Sequence, residues 1–196
     1  MTDFILASGS QIRRQVLDNA GIPFSVEKPD VDESVIKAER ADLDPADMAL
    51  VLGRAKAEDV SGRRPDALVL GADQTMELSG QLLDKLPRAD LARERLTAMR
   101  GRAHHLHSGL ALCRNGECVW QHQQTSTLHV RDFSDAFLDT YLDKAGFALT
   151  ASVGAYAFEG LGAQLFDRVE GDYYAILGLP LLPLLAALRQ FGVIAP

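Results

Sequence analysis

The spacing of apolar residues along the chain alternates between a strand period and a helix period. Short apolar runs over Phe4-Ile5-Leu6-Ala7 and from Ala67 to Ala72 predict two buried strands. Between these runs, Ile12, Val16 and Ala20 recur at four-residue spacing, which predicts one apolar face of a helix. The chain therefore begins with a strand, a loop of small residues and a helix.

Capping residues mark where further helices begin. Asp44-Pro45 supplies an N-cap and a proline at the first helical position, and predicts a helix whose apolar face reaches Lys56. Ser134 predicts the start of another helix, which extends to about Ala145. Residues 88–99 and 183–190 are also expected to be helical, and residues 164–169 to form a strand.

Residues 102–131 have the character of strands joined by a hairpin. Asn115-Gly116 is a strong hairpin signal, and residues 125–130 alternate between the two faces of a strand. Hairpins combined with strand-helix-strand units predict an α/β fold with a mixed sheet flanked by helices. No linker or internal repeat divides the sequence, so we expect a single domain over residues 1–196.

Composition narrows the possible functions. The chain has 196 residues, of which 47% are hydrophobic, and a net charge of −7. The apolar content is too high for a disordered chain, and the acidic balance argues against a basic nucleic-acid clamp, although a few local cations suffice for a small polyanion. The sequence has no apolar stretch long enough to span a membrane and no basic signal-peptide start, so we expect a cytoplasmic protein.

Two small groups of residues could carry metal or redox chemistry. Cys113 and Cys118 flank the hairpin turn, and without a secretory signal we expect reduced thiols rather than a disulfide. His104, His105 and His107 are a weak metal candidate, because adjacent residues of a strand point to opposite faces.

The first candidate for substrate binding is the segment that joins the first strand to the first helix. Ser8-Gly9-Ser10 exposes backbone N–H groups at a helix start, and Arg13 follows one turn later, where its guanidinium could clamp phosphate oxygens. The alternative is an ordinary N-cap followed by solvated arginines. The segment contains no P-loop or dinucleotide fingerprint.

Acids and lysines elsewhere could complete a phosphate site. Asp73 follows a buried strand, where a carboxylate could hold a metal or activate water, although such an Asp also commonly forms a turn. The acids around Asp32-Glu33 could join it as hard oxygen ligands, or could simply lie in a solvated loop. Lys56 and Lys85 are separated cations that either point into an anionic pocket or extend into water.

Eight short segments occur along the chain in a fixed order. They are Leu6-Ala7-Ser8-Gly9-Ser10-x-x-Arg13-Arg14, Asp32-Glu33, Ala55-Lys56-Ala57, Gly71-Ala72-Asp73, Gly80 through Lys85, Gly101-Arg102-x-His104, Glu159-Gly160-Leu161-Gly162 and Gly178-Leu179-Pro180. As an ordered set they resemble the Maf-like nucleoside triphosphate pyrophosphatases. The resemblance runs from about residue 4 to residue 192, which is nearly the whole chain.

The resemblance implies a cytoplasmic, homodimeric enzyme that hydrolyses a modified or non-standard nucleoside triphosphate to the monophosphate and pyrophosphate with a divalent cation, Mg²⁺ or Mn²⁺. It implies an elongated mixed sheet with helices around a deep cleft, as in Maf and ITPase-like proteins. The carried-over roles are catalysis for Asp73, metal binding for Glu33 and Asp73, and phosphate binding for Ser8, Arg13, Lys56 and Lys85.

Three positions differ between subgroups of the family. Where the dTTP- and UTP-directed subgroup has Arg, Thr and Gln, this chain has Ile12, Gln74 and Glu159, which is similar to the 7-methyl-GTP-directed subgroup. A glutamate can accept hydrogen bonds from the N–H edge of guanine and favours a cationic methylated base. The resemblance thus favours 7-methyl-GTP. The alternatives are a dTTP/UTP pyrophosphatase, or a nucleotide-binding regulator of cell division without useful catalysis.

Overall fold

Apolar strands and capped helices build a mixed α/β structure in this computed structural model, which describes residues 3–196. The strands are β1 (Phe4–Ala7), β2 (Ser25–Val26), β3 (Leu68–Leu78), β4 (Gln81–Leu83), β5 (Ala103–Arg114), β6 (Glu117–Val130) and β7 (Phe166–Glu170). The helices are α1 (Gln11–Asn19), α2 (Glu33–Glu39), α3 (Pro45–Arg63), α4 (Ala92–Met99), α5 (Asp135–Ala145), α6 (Ala148–Ala151), α7 (Tyr173–Ile176) and α8 (Leu181–Gln190), with 3-10 turns at Ala89–Leu91 and Leu161–Leu165.

The strands form a mixed sheet. Within residues 3–196 seven strands join in one sheet in the order β2-β1-β3-β5-β6-β7, and β4 pairs with β3 beside this path. Strand β1 runs parallel to β2 and to β3, whereas β3 with β4 and β6 with β7 are antiparallel pairs. The predicted α/β class, with a mixed sheet and flanking helices, is confirmed.

The chain divides into two compact units, each assembled from separate segments. The first unit contains the residues up to Gln74, His107–Gln124 and Asp172–Pro196, and the second contains Thr75–Leu106 and Thr125–Gly171. Strands β3, β5 and β6 each contribute residues to both units. The expectation of one domain over residues 1–196 stays a prediction.

In the first unit the sheet is buried on both faces, and strand alternation decides which side chain meets which helix. Leu68, Leu70 and Ala72 of β3 belong to a core cluster with residues of α1 and α8. The intervening Val69 packs instead into a second cluster with residues of α3. Because successive strand residues point to opposite faces, Asp73 follows Val69 onto the α3 face.

Helix α3 lies against the sheet at backbone contact distance because glycines occupy the contact. A Cβ on Gly71 would lie 2.1 Å from the carbonyl oxygen of Gly53, and a Cβ on Gly53 would lie 2.7 Å from that of Gly109. A Cβ on Gly109 would lie 2.4 Å from the backbone of Ala49. We call Gly53, Gly71 and Gly109 the glycine contact. It sets the distance between α3 and the middle of β3 and β5.

Two predicted helix starts are confirmed by their caps. The Asp44 side chain accepts a hydrogen bond from the Asp47 N–H at the start of α3, and Ser134 accepts one from the Phe137 N–H at the start of α5. The predicted hairpin is also present, since Asn115 and Gly116 have φ values of 52° and 76°, as a type I′ turn requires. Cys113 and Cys118 beside this turn are free thiols.

Several predicted boundaries are wrong. Strand β3 continues through Asp73 to Leu78, so Asp73 lies within a strand and not at its end. The strand expected from residue 164 begins at Phe166, after a 3-10 turn, and the last helix begins at Leu181 rather than Pro183. Helices α2, α6 and α7 and strands β2 and β4, all of seven residues or fewer, were not expected.

The second unit has an aromatic and hydrogen-bonded core of its own. The Tyr141 hydroxyl donates to the Ala155 carbonyl at 3.0 Å, and the Arg131 guanidinium lies 4.1 Å from the centroid of the Phe137 ring. Arg95 donates to the Val153 carbonyl at 2.6 Å. Across residues 3–196, none of the helices combines the length and the apolar character needed to cross a membrane.

We expect Gly71→Ala to destabilise the protein strongly. Its new methyl group would collide with the backbone of α3, which cannot move away as a side-chain end could, so the free energy of unfolding should fall by at least about 3 kcal/mol. Urea denaturation followed by circular dichroism measures this change.

The matched control is Gly62→Ala on the same helix, where an added Cβ meets no atom of the described structure within 4 Å. This variant should leave stability unchanged or raise it by up to about 1 kcal/mol, because alanine favours helix more than glycine does. Equal stability of the two variants would contradict a close contact at Gly71.

Candidate functional site

A lysine held between two carboxylates forms the centre of the candidate site. The Lys56 Nζ lies 2.5 Å from Asp73 Oδ1 and 2.7 Å from Glu33 Oε1. The Lys56 and Asp73 side chains are only 9% and 12% exposed, whereas Glu33 is 44% exposed. Of the predicted site residues, these three are joined by direct ion pairs.

Three elements of the first unit bring these side chains together. Lys56 lies on the buried face of α3 next to Ala57, which packs against the sheet. Asp73 points toward the same helix, and its backbone nitrogen would lie 3.3 Å from a Cβ on Gly53. Asp32 caps α2 by accepting hydrogen bonds from the Ser34 and Val35 N–H groups, and so places Glu33 in the first turn.

A second buried cation balances the charge of this group. Burial lowers the pKa of the Arg13 guanidinium from its ordinary value, and the negative charges of Asp73 and Glu33 act in the opposite direction. Arg13 and Lys56 together therefore offset the two carboxylates. The group is neutral as it stands, which removes much of the cost of burying its charges.

Most of the Arg13 side chain is already bonded within the protein. Its Nε donates to the Gly178 carbonyl at 2.9 Å, and its Nη1 donates to the Ala72 carbonyl at 2.8 Å and to Ser8 Oγ at 3.4 Å. Arg13 thus ties α1 to the residue before Asp73 and to the loop before α8. Its predicted role in phosphate binding, like that of Ser8, stays a prediction.

Gln74 lies on the opposite face of β3 from Asp73 and is held by polar groups there. Its Nε2 lies 2.9 Å from the Ala175 carbonyl, 3.1 Å from the Ile176 carbonyl and 3.2 Å from Ser108 Oγ. Carbonyl oxygens only accept hydrogen bonds, so the amide nitrogen of Gln74 must face them and its oxygen is left for other partners.

Ser108 is a site residue that sequence reasoning missed. It is fully buried, and its Oγ donates to the Ala175 carbonyl at 2.8 Å. It therefore links β5 to the same backbone segment that Gln74 and Arg13 hold. A serine within an apolar stretch of strand was the available signal, since a buried hydroxyl needs a partner.

The other predicted residues are Ile12, Lys85 and Glu159, and their predicted roles stay predictions. Ile12 is partly buried and packs against the core cluster of the first unit, so its predicted role in specificity stays a prediction beside that structural one. Lys85 and Glu159 belong to the second unit, where both are exposed, Lys85 after β4 and Glu159 in the turn before a 3-10 helix.

His104, which ends the segment Gly101-Arg102-x-His104, lies in the core of the second unit. It is fully buried, its Nε2 lies 2.7 Å from the Tyr156 hydroxyl, and its ring contacts Phe166 at a centroid distance of 5.8 Å. Burial lowers the pKa of His104 to about 3, and the nearby His105 and His129 shift it in the same direction. The imidazole is therefore neutral and structural at physiological pH.

The donor set of the site suits a hard divalent cation that is shared with a substrate. Glu33 and Asp73 offer carboxylate oxygens that already meet at one cation, the Lys56 ammonium. Within residues 3–196 no His, Cys, Asp or Glu joins them in a group of three that could hold a metal. Mg²⁺ commonly takes one or two carboxylates and completes its shell with water and substrate phosphates, so two carboxylates fit that mode.

Comparison with known proteins points to one family. The model of the family described as Maf-like protein matches residues 3–191. A nucleoside triphosphate pyrophosphatase of Maricaulis maris is 75% identical over 194 residues, which is 99% of each chain. A 7-methyl-GTP pyrophosphatase of Rhizobium meliloti is 47% identical over 97% of this chain and 96% of its own.

A solved structure of a HAM1 protein from Coxiella burnetii overlaps 68% of this chain and 75% of its own, with 14% identity and a TM-score of 0.39. An overlap at this level says nothing about activity.

We expect Arg13→Lys to lower stability although the charge is kept. One ammonium cannot replace the separate Nε and Nη1 donors that reach Gly178 and Ala72, so the free energy of unfolding should fall by about 2 kcal/mol. Arg14→Lys, next to it on α1 and only half-buried, is the matched control and should change stability by no more than about 0.5 kcal/mol. Urea denaturation of both variants tests this, and equal losses would contradict the anchoring role.

We expect His104 to make stability fall in acid. In the folded protein its pKa is about 3, below its ordinary value of 6.5, so the unfolded chain takes up this proton first. The free energy of unfolding that this pKa difference contributes is fully present above about pH 6.5. It is lost as the pH falls from there toward 3, by up to about 1.4 kcal/mol per pH unit. The stability advantage of the wild-type protein over His104→Gln should shrink across this window. An NMR titration in which the His104 ring protonates near pH 6.5 would contradict the assignment.

Proposed function

The chain belongs to the Maf-like protein family, and from that premise we propose that it is a nucleoside triphosphate pyrophosphatase. The observation that carries the proposal is the ion-paired group of Lys56, Asp73 and Glu33, which combines a proton acceptor, oxygen ligands and a cation in one place. Relatives that match nearly the whole chain carry the names nucleoside triphosphate pyrophosphatase and 7-methyl-GTP pyrophosphatase.

The proposed reaction is hydrolysis between the α- and β-phosphates. A water oxygen attacks the α-phosphorus, the bond from that phosphorus to the bridging oxygen breaks, and the products are a nucleoside monophosphate and pyrophosphate. Lys56 donates to Asp73 Oδ1, and we assign Oδ2 as the atom that accepts the proton of the attacking water. The strand fixes the backbone of Asp73, and the hydrogen bond from Lys56 holds its carboxylate.

Positive charge at the site stabilises the triphosphate and the departing pyrophosphate. We propose that Lys56 turns toward phosphate oxygens, and that the part of the Arg13 guanidinium not bonded to the protein's own carbonyls faces them too. Glu33 and Asp73 would hold a Mg²⁺ or Mn²⁺, which when bound adds further charge stabilisation on the phosphates.

We propose 7-methyl-GTP, or a related modified purine nucleotide, as the substrate. The support is that the sequence has glutamine at position 74 and glutamate at position 159, as in the 7-methyl-GTP-directed subgroup that it resembles. A carboxylate accepts from the N–H groups along the guanine edge and attracts a methylated, cationic ring, whereas it repels the carbonyls of a pyrimidine.

A hydrolysis panel with Asp73→Asn tests the reaction and the substrate together. We expect the wild-type enzyme to release pyrophosphate and monophosphate from 7-methyl-GTP faster than from dTTP or UTP, and to stop when the divalent cation is chelated. Asp73→Asn should lower kcat at least about 100-fold, because the proton acceptor is lost. Products are identified by chromatography and ³¹P NMR.

Asp66→Asn, an exposed acid just before β3, is the matched control and should keep full activity. Full activity in Asp73→Asn would contradict the catalytic assignment. Faster turnover of pyrimidine nucleotides would favour the dTTP/UTP alternative, and nucleotide binding without any hydrolysis would favour the regulator.

A further inference from the structure

One ammonium group satisfies both carboxylates of the candidate metal site. Lys56 Nζ lies 2.7 Å from Glu33 Oε1 and 2.5 Å from Asp73 Oδ1, so one nitrogen is paired with both acids. Lys56 is one of the buried residues of α3, so its contacts with the two acids are not those of an exposed surface lysine. Burial strengthens such pairs because little water screens them.

We propose that Lys56 is the resident cation of this carboxylate pair and competes directly with a divalent metal for it. The inference rests on the proposed metal-dependent function. Lys56 now bonds one oxygen of each carboxylate, so a metal that binds Glu33 and Asp73 together must lie close to this buried ammonium and meet its repulsion. The free protein therefore binds divalent cations weakly at this site.

A triphosphate removes this obstacle because it offers Lys56 a different anion. When phosphate oxygens take over the ammonium, Glu33 and Asp73 are released to the cation that accompanies the nucleotide. Two carboxylates without a third protein ligand fit a metal that arrives with its phosphates better than a metal stored in advance. Lys56 thereby couples occupation of the metal site to the presence of substrate.

A neutral side chain at position 56 should uncover the metal site. In Lys56→Met, a side chain of similar length fills the same space without charge or donor, and both carboxylates lose their cation. We expect the protein without nucleotide to bind Mn²⁺ at least tenfold more tightly than the wild type does. The measurement is electron paramagnetic resonance of free Mn²⁺ in a titration, which needs no catalytic turnover.

Three further variants make the result specific. Lys56→Gln is also neutral but keeps a hydrogen-bond donor for the carboxylates. It should also bind Mn²⁺ more tightly than the wild type. This variant provides the test if Lys56→Met does not fold. Lys56→Arg keeps the charge and should bind as weakly as the wild type. Lys144→Met, in the last turn of α5, controls for the change in net charge and should not alter Mn²⁺ binding.

Unchanged or weaker Mn²⁺ binding in the folded neutral variants overturns the proposal, and so does equal tightening in Lys56→Arg or Lys144→Met. This outcome is distinct from failure of the proposed function, which shows as absence of pyrophosphate release in the nucleotide panel. A wild-type enzyme that hydrolyses nucleotides, with neutral variants that bind Mn²⁺ no better, would remove this inference alone.

Discussion

The close approach of α3 to the sheet is the constraint on which the first unit depends. Gly53, Gly71 and Gly109 let backbone meet backbone where any side chain would hold the layers apart. The small separation puts Lys56 within hydrogen-bond reach of Asp73 and leaves little room for water around either group. The same contact that packs the core therefore determines the electrostatics of the site.

Buried charge is tolerated here because every charged group has a partner within the fold. Lys56 has two carboxylates, and Arg13 has the carbonyls of Ala72 and Gly178 as well as the field of the nearby acids. The acidic composition of the whole chain describes its surface and not this group, in which two cations offset two anions. The proposed nucleotide site is therefore compatible with a protein of net charge −7.

Local signals in the sequence predicted local structure well. Contacts between residues far apart in the chain could not be predicted from such signals. The caps Asp44 and Ser134 each act within three residues, so they could be recognised directly. Strand β3 was predicted too short because its apolar run stops where the strand enters the site and carries Asp73 and Gln74. The bond from Arg13 to the Gly178 carbonyl joins residues 165 positions apart, which no local pattern encodes.

The two acids of the site differ in how firmly the fold holds them. Asp73 belongs to an eleven-residue strand inside the sheet, whereas Glu33 begins α2, a seven-residue helix with no buried residue. Glu33 can therefore shift its position more easily than Asp73 can. In the proposed mechanism, a small shift of α2 would accommodate cations of different radius, while Asp73, the proposed proton acceptor, would keep its place relative to the sheet.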